Sequence, residues 1–136
     1  MSNIEQTLSI IKPDAVERNL DNEIKQMFIK NGFNIFKEKK IQIEKSEAEK
    51  FYKVHETKPF YSDLCAYLSS GPIVAMILEK KNAVADNRKL MGATNPKDAE
   101  NGTIRKKYGI SIDKNSVHGS DSVENAKIEI DFFFKD

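Results

Sequence analysis

The residues Asn115-Ser116-Val117-His118-Gly119-Ser120-Asp121-Ser122 set an imidazole among small and polar neighbours and follow it with hydroxyls and a carboxylate. Imidazole is partly unprotonated near neutral pH and therefore nucleophilic without strong perturbation, so His118 is a candidate to attack phosphorus directly. Gly119 has no Cβ and lets a bulky ligand approach the main chain beside the histidine. Ser120, Asp121 and Ser122 are all good helix N-cap residues, and Val123, Ala126, Ile130 and Phe133 or Phe134 follow at helical spacing. His118 is thus expected just before a helix N-terminus, where free N–H groups favour anions. Glu129 stands seven residues beyond Ser122, about two turns, and returns to the same side of that helix. A carboxylate there can accept a hydrogen bond from one ring nitrogen and leave the other to attack. The plainer alternative is a satisfied core histidine beside an ordinary cap.

Other side chains fit a phosphorylated ligand, each with a bland alternative. Arg88, Thr94 and Arg105 are spread across a glycine-rich stretch and can grip phosphate oxygens with charge-assisted bonds, or the arginines can be solvated like Lys89, Lys106 and Lys107. Phe60 follows a proline outside any strong periodicity and can stack on a flat ligand or pack in the core. Lys12 and Tyr52 each offer a polar tip to a sugar or phosphate, or snorkel. Asn115 can donate to a sugar hydroxyl or cap a turn, and Cys65 reads as a small core residue. Neither GxxxxGK[ST] nor GxGxxG occurs, which excludes a P-loop or Rossmann site, and no GxSxG elbow supports a serine hydrolase. His55, His118 and Cys65 show no zinc-ligand spacing. Magnesium needs few protein ligands because it binds largely through substrate phosphates and water.

Positioning these side chains requires a particular order of elements. Leu8–Lys12 reads as a strand ended by Lys12-Pro13-Asp14, with proline suited to the first turn of a helix. Leu20, Ile24, Met27 and Phe28 repeat at helical spacing until Asn31-Gly32 supplies left-handed residues. Phe33, Ile35, Ile41 and Ile43 share one parity, which predicts a long antiparallel strand over 33–43 with one buried face. Ser46-Glu47-Ala48-Glu49 reads as a capping box opening a helix through Phe51, Tyr52 and His55, broken at Pro59. Phe60, Leu64, Tyr67 and Leu68 predict a short helix up to Gly71-Pro72. Ile73–Leu78 is apolar on both faces and so a central strand, and Asn82–Leu90 is helical. Met91–Asn115 reads as a long functional loop with short helical pieces, before a last short strand at Val117–Gly119 and the capped helix. The expected fold is α+β: a ferredoxin-like split βαβ sandwich, a four-stranded antiparallel sheet covered by helices.

Bulk properties narrow the possibilities. The chain has 136 residues, enough for one domain (1–136) with a real core, and carries 22 basic against 21 acidic side chains. A formal net charge of +1 gives no field to attract nucleic acid, so any anion site must be built locally. One cysteine cannot form an internal disulfide, and the start Met-Ser-Asn-Ile-Glu-Gln lacks the regions of a signal peptide. A reducing, cytoplasmic location is expected. The longest apolar run, Ile73–Leu78, falls far short of the ~20 residues that span a bilayer.

From Thr7 to about Phe134 the chain resembles nucleoside diphosphate kinase. The blocks that carry the likeness are Leu8-Ser9-Ile10-Ile11-Lys12-Pro13-Asp14-Ala15-Val16, Ser70-Gly71-Pro72-Ile73-Val74-Ala75-Met76, Gly92-Ala93-Thr94-Asn95-Pro96, Gly102-Thr103-Ile104-Arg105 and 115–124, in order and at the family's spacings. The resemblance implies that His118 is phosphorylated through Nδ1 while Glu129 steadies Nε2 and Ser120 supports that carboxylate. It implies that Arg88, Thr94 and Arg105 hold the terminal phosphates, with His55 reaching the inner one. Lys12 and Asn115 would bind ribose hydroxyls with Tyr52 close by, and Phe60 with Ile112 would sandwich the base. Mg²⁺ would ride on the nucleotide phosphates and touch Asp121 only through water. Partners implied are nucleoside di- and triphosphates, and self-association as a homotetramer or homohexamer; the chain's end at Asp136, short of the extension on longer members, leaves that choice open. Where the family commonly has glycine this chain has Asn19 and Asn22, and asparagine tolerates left-handed geometry. Asp86-Asn87 ahead of Arg88 is also unlike the family's usual pattern.

Overall fold

The computed structural model describes residues 4–111 and 114–134. Strands β1 (Ile4–Ile11), β2 (Asn34–Ile41), β3 (Ile73–Lys81) and β4 (Val117–Gly119) form one sheet in the order β2-β3-β1-β4, every neighbouring pair antiparallel. Helices α1 (Pro13–Glu17) and α2 (Asp21–Lys30) connect β1 to β2. Helices α3 (Lys45–Phe51) and α4 (Tyr61–Leu68) connect β2 to β3. Helix α5 (Ala83–Met91) and the short α6 (Ile104–Tyr108) lie between β3 and β4, and α7 (Val123–Phe133) follows. Two split βαβ units result, as expected.

Hydrophobic alternation explains the layers. Ile11, Phe28, Phe33, Val74, Met76, Leu78 and Val117 bury one face of the sheet, while Leu8, Ile10, Ile43, Ile73, Ala75 and Leu68 bury the other. Ile73–Leu78 is buried throughout because β3 is flanked by strands on both edges and covered on both sides.

Strand β2 departs from its expected pattern. Its register against β3 shifts between Ile35, opposite Leu78, and Lys37, opposite Ile77. The extra residue, Phe36, makes a β-bulge, and every side chain beyond it changes face. Phe33 and Ile35 therefore pack with one core, and Ile41 and Ile43 with the other. The single buried face expected over 33–43 is corrected accordingly.

Three helix ends also differ. The capping box opens at Glu44, whose backbone N donates to Glu47 Oε1 at 3.2 Å, rather than at Ser46 with Glu49. Helix α3 stops at Phe51, and Lys53–His55 forms a separate 3₁₀ turn, so Tyr52 and His55 are not on its face. Gly32 alone is left-handed after α2, with φ 87°, since Asn31 keeps φ −96°. Asn19 takes φ 60°, as asparagine in a glycine position can, whereas Asn22 is helical.

Candidate active site

β4 is held by β1, with Ile10 opposite His118 and Ser9 opposite Gly119. Val117 points into the core and His118 to the other side of the sheet, into a cavity of about 690 Å³. His118 Nε2 lies 3.0 Å from Glu129 Oε1, on α7. The Ser120 hydroxyl donates to the same oxygen at 2.8 Å and accepts from the backbone N of Leu8 at 3.3 Å. A chain of contacts thus runs from the β1 backbone through Ser120 and Glu129 to the imidazole. Phe51 and Tyr52 meet the ring edge-on, with centroids 5.3 and 6.2 Å away.

Ser122 is the residue that caps α7, its hydroxyl accepting from Asn125 N at 3.1 Å. Asp121 instead accepts from the Asn125 side chain at 2.6 Å, a bond that holds its carboxyl below the usual range, helped by Arg88 and His118. Gly119 has no room for a side chain, since a Cβ there would sit 2.4 Å from Asn87 Nδ2 and 2.9 Å from Met91 Sδ. The glycine's value in this structure is therefore close packing of β4 on α5.

Arg88 and Arg105 both line the cavity, in different states. Arg88 is exposed on α5. Arg105 is partly buried, and its guanidinium donates to Gly92 O at 3.0 Å and Val117 O at 2.9 Å. Burial, and then the like charge of Arg88, brings its pKa down to about 10, so it stays cationic near neutral pH. The fully solvated alternative fails for Arg105, whose Nε is buried without a partner.

Lys12, also lining the cavity, is buried and its Nζ donates to Asn115 Oδ1 at 3.0 Å, while Asn115 Nδ2 donates to Thr94 O at 3.1 Å. Phe60 is 48% exposed on the cavity rim, an open ring rather than a core one. His55 lies between Tyr52 and Phe60, with its Nδ1 buried and unpartnered. Burial first, then the charges of Lys58 and His118, lower its pKa. Tyr52 is buried, which pushes its phenol pKa up.

Lys12, Tyr52, His55, Phe60, Arg88, Thr94, Arg105, Asn115, His118, Asp121 and Glu129 all face this one cavity, with Ser120 behind Glu129. Ile112 lies outside the described residues. Sequence reasoning missed Leu64 as a cavity residue, although it stands four residues after Phe60 and could have been placed beside it by helical spacing. It also missed Phe51 against the His118 ring, a contact across distant segments for which the sequence holds no signal.

The pattern of the nucleoside diphosphate kinase family matches residues 5–136. The nucleoside diphosphate kinase of Geobacter sp. (strain M21) is 56% identical over 131 residues, 96% of each chain. That of Campylobacter jejuni (strain RM1221) is 57% identical over 132 residues, 97% of this chain and 96% of its own. Among solved structures, the Aquifex aeolicus nucleoside diphosphate kinase superposes with a TM-score of 0.95 at 39% identity, covering 96% of this chain and 95% of that one. The apo enzyme from Encephalitozoon cuniculi gives 0.94 at 41% identity, covering 97% and 90%. Fold and sequence together define an α+β nucleotide phosphotransferase. The chain belongs to the nucleoside diphosphate kinase family. Among the described residues no helix is long and apolar enough to cross a membrane.

Proposed function

We propose that the protein transfers the terminal phosphoryl group of a nucleoside triphosphate to a nucleoside diphosphate by a ping-pong mechanism through His118. The observation that carries this reading is the His118 Nε2–Glu129 contact at 3.0 Å inside a cavity lined by two arginines. With Nε2–H donated to the carboxylate, the lone pair is on Nδ1. It forms a bond to the γ-phosphorus as the bond to the bridging oxygen breaks and the diphosphate leaves with that electron pair. A second diphosphate then takes the group by the reverse step. Ser120, anchored to β1, holds Glu129 in place.

Arg88, Arg105 and Thr94 would receive the terminal phosphates, and His55 the inner one. Phosphoryl transfer depends on such positioning and charge neutralisation more than on covalent chemistry. Lys12 and Asn115 would bind the ribose hydroxyls, with Tyr52 packed behind. Phe60 stacks on the base without reading its edges, which supports broad base specificity; Ile112 would take the opposite side.

The donor set fits a cation that arrives on the nucleotide. Among the described residues no three His, Cys, Asp or Glu side chains gather into a cage, and Asp121 is an exposed carboxylate beside the proposed phosphate site. Bound Mg²⁺ would neutralise part of the phosphate charge, and Asp121 would reach it through water. Buried, unpaired Cys65 fits a reducing cytoplasm. Assembly as a homotetramer or homohexamer belongs to the same reading.

Radiolabelled ATP with Mg²⁺ should yield an acid-labile, base-stable phosphoprotein, and His118→Asn should abolish the label. Equal labelling of His118→Asn would overturn the choice of nucleophile.

A further inference from the structure

Ser116 is completely buried and has φ 77°, a left-handed conformation that a non-glycine residue seldom takes. Val117 N donates to Asn115 O at 3.0 Å across it. A hydrogen bond spanning one residue of positive φ is the rare, strained form of the γ-turn, and such strain persists only where the surroundings over-determine it. Here the surroundings are visible. Lys12 N donates to Ser116 O at 2.8 Å, and the Ser116 hydroxyl donates to Asp14 Oδ2 at 3.3 Å.

Asp14 is itself buried, 5% exposed, in the first turn of α1. The Tyr67 hydroxyl donates to its Oδ1 and accepts from its backbone N at 2.9 Å, while Arg18 reaches Oδ2 at 3.3 Å. The carboxylate therefore ties α1, α4 and the turn before β4 together, yet it does not line the cavity. What the turn delivers is Asn115, whose amide bridges Lys12 Nζ and Thr94 O, three residues ahead of His118.

We propose that Asp14 is a positioning residue for the sugar end of the cavity: its carboxylate holds Ser116 in the strained turn that presents Asn115 to Lys12. This rests on the reading of Lys12 and Asn115 as ribose contacts given above. If it is right, the hydroxyl of Ser116 is needed only because residue 116 is not glycine. Alanine would keep the strain and lose the bond; glycine would lose both.

The test compares Asp14→Asn, Ser116→Ala and Ser116→Gly with the unaltered protein, folding being checked by circular dichroism. With nucleoside triphosphate, Asp14→Asn and Ser116→Ala should each lower kcat/KM about tenfold through KM, the order of the intrinsic cost of a left-handed non-glycine residue. The preference for a 2′-deoxy over a 2′,3′-dideoxy nucleotide should shrink with it. Ser116→Gly should keep most of the activity, and adding it to Asp14→Asn should recover most of the loss. Phosphorylation of His118 by phosphoramidate, which carries no sugar, should be unchanged throughout. Equal behaviour of Ser116→Ala and Ser116→Gly, an unchanged sugar preference, or a parallel fall with phosphoramidate would overturn the proposal and leave Asp14 with a purely structural part. Should Asp14→Asn not fold, the two Ser116 variants decide alone. Failure of the unaltered protein to take label from ATP would overturn the reading of the site itself, and this inference with it.

Discussion

In the proposed mechanism the two nitrogens of His118 have separate tasks, and the residues that would divide them, Glu129, Ser120 and Leu8, come from α7, the end of β4 and β1. Spacing along α7 was enough to bring Glu129 toward His118, because a helix repeats its face after about two turns. By residue type Ser120 was one of three possible caps, and only the family resemblance joined it to Glu129; the structure gives the cap to Ser122 and turns Ser120 to Glu129 and Leu8. His55 allows a pH test at this scale. Burial and like charges lower its pKa, so the ring is neutral at pH 7 and becomes cationic only below its ordinary titration range. A cation near phosphate favours binding, so acidification should tighten nucleotide binding through His55. In a His118→Asn background, calorimetry should show that ADP affinity at pH 5.5 relative to pH 7 is greater with His55 than with His55→Gln. At pH 7 the same substitution should cost about 1 kcal/mol or less, the worth of one neutral hydrogen bond. An identical pH response in both proteins would remove His55 from the phosphate site.

Among the elements, β2 shows how far periodicity can mislead. The parity of Phe33, Ile35, Ile41 and Ile43 is plain in the sequence, but parity reports a face only while the register is unbroken. One extra residue at Phe36 sends the two halves to opposite cores, and nothing local in Asn34–Ile41 announces it. Deleting Phe36 should restore continuous alternation and force either Phe33 and Ile35 or Ile41 and Ile43 out of their core. Phe33 and Ile43 are each only 4% exposed, and exposing one such side chain costs roughly 2–3 kcal/mol. The expected result is a marked fall in the urea midpoint or loss of folded protein. A deletion variant with native stability would show that the bulge has no such part. Among its described residues, the glycine-rich stretch before β4 holds only the short helical pieces Pro96–Asp98 and Ile104–Tyr108, each opened by a local side-chain cap, Asn95 and Thr103, which is why a long loop with short helical pieces was legible there.

For the molecule as a whole, the sheet is buried on both faces and the cavity is assembled from segments far apart in sequence, from Lys12 to Glu129. A ligand that joins these segments binds only the folded chain. Adding Mg-ADP at about a hundred times its Kd should therefore raise stability by about 2.7 kcal/mol, seen as a rise of several degrees in Tm. No shift at saturating nucleotide would contradict the proposed site. Light scattering against the 15.5 kDa chain mass would test the proposed assembly and separate a tetramer from a hexamer or a monomer.

Element order, the central place of β3, the nucleophile candidate and the blocks that mark the family can all be read along the chain. These are properties of local spacing and residue type, which survive without knowledge of the fold. Tertiary structure alone decided the bulge at Phe36, the tethering of Arg105 to Gly92 and Val117, and the left-handed turn at Ser116. Each depends on groups distant in sequence, Leu78 and Ile77 across the sheet in the first case, backbone carbonyls in the second and Asp14 in the third. Long-range pairing sets register, buries charge and sustains strain, and none of these leaves a pattern in neighbouring residues.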